Sequence, residues 1–278
     1  MPRSIWNGAL SFGLVNVPVQ LFTAVEPKDI AFHEFQAGTG ARIKHKRVSE
    51  KTGREVDYAD IEKGYETGKG KYVMLTRAEL ESIEPNRSRT IDIEDFVELA
   101  DIDPLYFDRP YYVAPQKGAE KPYVLLRTAL ERSERVAIAR FVMRTKQYLA
   151  AIRVSGDVLL LETLYFANEI RDTKGLDVPK RTKVPDRELR VAEQLVDSMT
   201  VAWDPDRYED TYRSKVLALL RKKGQGKEIE VPRRRETEGG EVVDLVDALR
   251  RSLDERTKGK RTRKATKATA KRSRRRAS

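Results

Sequence analysis

From residue 15 the chain alternates, with Val15, Val17, Val19 and Leu21 set against Asn16, Pro18 and Gln20. A period of two places one set on each face of a strand. Short β-branched or aromatic runs return at TIDIEDF, PYYVAP, VAIARFVMR, YLAAIRV and VLLLETLYF, separated by turn residues. Ser155-Gly156-Asp157 is a tight turn joining the last two. Two helices interrupt the series. Thr76 followed by Glu79 makes a capping box for RAELESI. Pro122 starts a helix through PYVLLRTALERSE, with Tyr123, Leu126 and Leu130 on one stripe. The class is α+β, mainly β.

After Pro185 the period becomes helical, and DRELRVAEQLVDSM puts Leu189, Ala192, Leu195, Val196 and Met199 on one face. Asp204 is the expected cap of a second helix, with Pro205 in its first turn and Gly224 at its end. Tyr208, Tyr212, Val216 and Leu220 recur every four residues along it. Both stripes need cover, and either the chain's own body or a second copy supplies it. The Gly-, Lys- and Arg-rich run from Lys222 to Gly240 is a linker. Beyond it, Val242, Val246, Leu249 and Leu253 mark a short amphipathic helix that cannot build a core by itself. It either folds back on the body or docks in a groove of another protein.

Charge changes this picture at one end. Twelve of the 55 basic residues and none of the 44 acidic ones fall in residues 256–278, which leaves 43 bases against 44 acids elsewhere. The surplus of +11 therefore belongs to a low-complexity, self-repelling tail expected to be disordered. Its Lys260, Arg261, Arg263, Lys264, Lys271, Arg272, Arg274, Arg275 and Arg276 suit nucleic-acid phosphates, bound by counterion release.

Catalytic chemistry is sparse. The absence of cysteine excludes disulfides and thiolate chemistry, and His33 and His45 are the only imidazoles. Gly68-Lys69-Gly70-Lys71 lacks the P-loop spacing, and no G-x-S-x-G occurs. The acidic run Asp92, Glu94, Asp95, Glu98, Asp101 and Asp103 raises a metal-dependent nuclease as the weakest reading, against an ordinary acidic face. The uncharged stretch Ser4–Val25 is too polar, with Asn7, Gly8, Gly13 and Asn16, for a membrane span or a secretion signal. These features point to a cytoplasmic binding protein without a cofactor or metal, rather than an enzyme.

The stretch ARFVMRTKQYLAAIRV, residues 139–154, carries Arg140, Arg144, Lys146 and Arg153 with no acid among them. Read as a hairpin, Arg140, Val142 and Arg144 share one face and Ala139, Phe141 and Met143 the other, with the turn at Thr145 to Gln147. Such a face is either solvated or a ribbon whose cations meet phosphates without reading bases. Arg42, Lys44, Lys46 and Arg47 form a second basic cluster able to join it.

Several blocks in order then resemble bacterial Ku, the DNA-end-binding protein of non-homologous end joining: RSIWNGALSFGLVNVPVQLF, RIKHKRV with EKTGREV, YVMLTRAELESIEP, RPYYVAP, VAIARFVMRTKQYLAAIRV and WDPDRYEDTYRSKVLALL. The resemblance implies a β-barrel core with a DNA-encircling bridge over residues 1–185. It implies a helical, dimer-building arm over 186–224 that includes Tyr208, Tyr212, Val216 and Leu220. A linker and docking helix over 225–255 would engage an ATP-dependent DNA ligase through Val242, Val246, Leu249 and Leu253, and 256–278 would be the basic tail. It implies a homodimeric, nucleoid-associated ring threaded by double-stranded DNA ends, with residues 139–154 in the bridge. The alternative is an architectural protein coating the nucleoid through its tail. Many relatives carry cysteines, as in a zinc knuckle, around the stretch equivalent to GTGARIKHKRVSEKTG. Here Thr39 and Ser49 stand near those places, so zinc is not carried over.

Overall fold

The alternating runs become strands that bury one face each. The computed structural model describes residues 3–83, 89–179 and 182–225. Seven strands close into a barrel: β1 (Trp6–Phe12), β2 (Val15–Thr23), β5 (Thr90–Glu98), β6 (Phe107–Pro115), β7 (Arg135–Met143), β8 (Lys146–Ser155) and β9 (Val158–Leu164), in the order β1-β2-β6-β9-β8-β7-β5. All pairs are antiparallel except the seam, where β1 runs parallel to β5 with Ala9 opposite Thr90 and Ser11 opposite Asp92. Between β2 and β5, residues 24–89 give the barrel no strand. They contain a separate hairpin of β3 (Lys63–Gly68) and β4 (Lys71–Leu75) and the helix α1 (Arg77–Ser82), with the expected capping box at Thr76 and Glu79.

Leu10, Val17, Val19, Leu21, Ile91, Val113, Phe141, Ile152, Leu159 and Leu161 fill the main core. The helix α2 (Glu120–Ser133) begins two residues before Pro122 and adds Tyr123, Leu126 and Leu130 to that core. The Tyr123 hydroxyl donates to Val113 O and accepts from Leu159 N, both at 2.8 Å. Burial raises its pKa, keeping the proton that makes it a donor. Tyr123→Phe leaves two buried backbone groups unpaired, so a loss of about 1–3 kcal/mol is expected in urea unfolding. An unchanged midpoint would show that Val113 and Leu159 find other partners.

A smaller cluster of Val136, Ala151 and Leu164 lies on the opposite face of the same strands, against Ile102, Tyr106 and Phe107. The turn between β7 and β8 is Arg144-Thr145, not Thr145 to Gln147, because Met143 pairs directly with Lys146. A two-residue hairpin turn needs a positive φ that glycine adopts easily. Gly156 provides it between β8 and β9 at 58°, and Arg144 adopts it here at 63°.

The chain divides into two units, Met1–Lys174 and Gly175–Ser278. In the second, α3 (Asp186–Met199) follows the expected period. The next helix starts later than its sequence signals suggest. Asp204 caps only a 3-10 turn, Pro205–Arg207, by accepting from Asp206 N. Tyr208 is already extended, and Asp210 accepts from Arg213 N to begin α4 (Thr211–Gly224). Two Asp caps stand six residues apart, and only the second precedes a run free of proline. Lys222 and Lys223 belong to the last turn of α4 rather than to a linker, where cations suit the helix dipole.

Candidate nucleic-acid interface

Residues 139–154 form the wall of the barrel as β7 and β8, not a bridge that leaves it. A closed barrel needs both strands of this hairpin to complete its ring of hydrogen bonds. The face assignment holds, since Ala139 and Phe141 are buried and Arg140 is exposed. The acids missing from the stretch come from neighbouring strands. Arg140 Nη2 lies 3.0 Å from Glu94 Oε2 on β5, with Asp92 its direct partner across the ladder. Arg153 Nε donates to Glu162 Oε2 on β9 at 2.7 Å. This half-buried pair lines a cleft of about 320 Å³ with Leu99, Ile102, Pro104 and Phe107. Lys146 Nζ lies 3.8 Å from Glu169 Oε1 and 5.3 Å from the Tyr148 ring. Arg144, in its turn, has no ion pair among the described residues.

At least half of the acidic run is engaged locally. Glu94 and Glu98 pair with Arg140 and Arg135, and Asp103 caps the turn at Leu105. Among the described residues no three His, Asp or Glu side chains converge as a metal site.

The second basic cluster lies in the segment outside the barrel. Arg42 Nη2 is 3.1 Å from His33 Nδ1, and Lys46 Nζ donates to Glu55 Oε2 at 2.6 Å. Lys44 has no ion pair among the described residues, and Arg47 lies over the Tyr58 ring at 5.3 Å. Sequence reasoning missed Tyr58 and Arg77, whose guanidinium reaches the same ring at 6.0 Å. Arg77 was visible only as a helix residue, and no local period links it to Arg47.

The same segment holds two turns of one design. Gly40 N donates to Gln36 O at 3.0 Å and Gly53 N to Ser49 O at 2.8 Å. Both glycines have left-handed φ, 67° and 65°, and the flanks meet in the bridges Phe35–Arg42 and Val48–Glu55. These turns carry Gln36, Thr39, Ser49 and Thr52, with no cysteine among them. Thr39 Oγ1 donates to Gln36 Oε1 at 3.1 Å. Neutral amide and hydroxyl oxygens do not suit structural zinc, which takes thiolate or imidazole. His33 and His45 are turned to Arg42 and Glu34.

Tyr212 and Leu220 are exposed on α4 and Val216 is half-buried, while Tyr208 precedes the helix and stacks on Trp203 at 5.3 Å between centroids. Val242, Val246, Leu249 and Leu253 lie outside the described residues, as does the whole basic tail.

The family model for the Ku70/Ku80 β-barrel domain matches residues 11–191, which takes in the end of β1, the other six strands of the barrel and the segment inserted between β2 and β5. The chain belongs to the Ku family. It is 46% identical to the Saccharopolyspora erythraea protein named non-homologous end joining protein Ku 1, across 94% of this chain and 81% of that one. A Ku from Anaeromyxobacter sp. (strain K) is 45% identical, across 91% and 86%, and one from Coxiella burnetii 39%, across 93% and 97%. Among solved structures, the SPOC domain of human PHD-finger protein 3 covers 58% of this chain and 95% of its own. At 10% identity and a TM-score of 0.28 it adds nothing to the assignment. Against the Ku fold, the cations on β7 and β8 belong to the barrel, and those between β2 and β5 to the segment outside it. No helix among the described residues is long and apolar enough to cross a membrane.

Proposed function

We propose that this Ku-family chain binds ends of double-stranded DNA as a homodimeric ring and delivers them to an ATP-dependent DNA ligase in non-homologous end joining. The observation that carries the reading is family membership across the barrel and its inserted segment, together with relatives named for end joining. It acts by binding rather than catalysis, in the cytoplasm at the nucleoid.

The contacts are with backbone phosphates, because a ring loading on any broken end has no use for base reading. Lys44, Arg47 and Arg144 are the strongest of the sequence candidates, since none has an acid partner among the described residues. Arg140, Lys146, Arg153 and Lys46 would first have to leave Glu94, Glu169, Glu162 and Glu55. Among the described residues Arg42 faces a histidine nitrogen and no acid, and it stays a candidate. The second copy covers the apolar faces of α3 and α4. The segment around Val242 to Leu253 docks on the ligase, and the tail adds non-specific phosphate contacts.

The test is a competition. Full-length protein is bound to a labelled linear duplex and challenged with excess covalently closed circle, which absorbs contacts that need no end. A ring stays on the linear duplex, with at least a ten-fold preference expected. Equal loss to circle and to unlabelled linear competitor means an architectural coat instead.

A further inference from the structure

The Tyr58 ring carries two cations that come from different parts of the chain. Arg47 lies over it at 5.3 Å and Arg77 at 6.0 Å, and the ring is 63% exposed. Each arginine is set by its backbone. The Arg47 carbonyl accepts from Val56 N at 2.9 Å, across the second knuckle turn. Arg77 opens α1, where Thr76 Oγ1 accepts from Glu79 N at 3.2 Å and Thr76 N donates to Glu79 Oε2 at 2.8 Å.

Other cations nearby and in the barrel wall are neutralised, as in Lys46–Glu55, Arg140–Glu94 and Arg153–Glu162. Among the described residues neither Arg47 nor Arg77 has an ion pair, although Asp57 and Asp60 flank Tyr58 in sequence. Gathering like charges on one ring raises the energy of the free protein, and an anion between them relieves it. A guanidinium lying on an aromatic face keeps its in-plane N–H donors free, and that fork fits a phosphate. Lys44 and Arg42 extend the positive surface along the same segment, which favours a polyanion over a single carboxylate.

We infer that Arg47, Tyr58 and Arg77 form a clamp for the phosphodiester backbone of duplex DNA, with Tyr58 as the platform that orders both guanidiniums. The clamp rests on the proposed DNA binding and adds two residues that the sequence candidates lacked.

The experiment measures the affinity of the full-length chain for a short linear duplex over a series of salt concentrations. Each phosphate contact adds about 0.9 to the slope of log K against log salt, or about five-fold in affinity at 0.15 M. Arg47→Ala with Arg77→Ala should therefore flatten the slope by about 1.8 and weaken binding at 0.15 M by about 30-fold. Tyr58→Phe should stay within about two-fold of wild type, and Tyr58→Leu should fall between it and the double variant. All three residues are solvent-facing, so circular dichroism should match wild type. An unchanged slope in the double variant overturns the clamp even if affinity drops, because lost phosphate contacts must show in the slope. So does a double variant that keeps its slope on DNA but no longer binds poly-glutamate, since the clamp then takes carboxylates. A wild type that fails the circle competition while the double variant still loses slope supports the clamp and removes only the end-binding ring.

Discussion

Replacing Gly8 with alanine is expected to open the barrel at its seam. A Cβ at Gly8 would lie 2.2 Å from Arg89 O and 2.2 Å from the tip of the Trp6 ring. Neither neighbour can retreat cheaply. Arg89 O accepts from Ala9 N at 2.8 Å, beside the parallel β1–β5 pairing that closes the sheet. The Trp6 ring donates Nε1–H to Val142 O at 3.0 Å and packs edge-on against Phe141. The Gly8 carbonyl is also engaged, accepting with Val19 O from the Gln116 side-chain amide at 3.0 and 2.9 Å. Overpacking at so constrained a point costs about 3 kcal/mol or more. Urea unfolding should show a much lower midpoint for Gly8→Ala. A wild-type midpoint would mean that the Trp6 ring swings aside and that the seam tolerates a shift.

The second large effect concerns assembly. Val196 is 64% exposed, Trp203 78% and Tyr212 75% within the single chain. Large apolar groups exposed on two consecutive helices, and on the segment that joins them, mark an interaction surface. If a second copy covers them, Val196→Glu with Tyr212→Glu would place carboxylates in a desolvated interface. The double variant should sediment as a monomer where wild type is a dimer, and its preference for linear DNA over closed circle should fall at least ten-fold. Because both side chains face solvent in the single chain, its thermal unfolding should move little. A variant that remains dimeric would place the interface elsewhere.

The cations of residues 139–154 show where sequence reading reaches its limit. Their alternation put Arg140 on the outer face correctly, because buried Ala139 and Phe141 leave it no other side. Reversing Arg140 to glutamate is nevertheless a poor test of DNA contact. It would set three acids together with Asp92 and Glu94, and any lost binding would report on the barrel instead. The partner Glu94 comes from another strand, so no spacing within residues 139–154 reveals it.

By itself the sequence determined the strands β2 and β5 to β9, though not β1, β3 or β4, together with the capped helix α1, the buried stripe of α2 and the amphipathic α3, since each rests on a local period or cap. Its ordered blocks also carried the Ku likeness that the family match bears out. Tertiary structure decided what depends on residues far apart in the chain. Closure needs Ala9 beside Thr90, charge pairing needs Arg140 beside Glu94, and the proposed clamp needs Arg47 and Arg77 on one ring. The start of α4 was a different failure, a choice between two caps made by the extended backbone after Tyr208. Periodicity reports which face of an element is buried, but only packing chooses the element across from it.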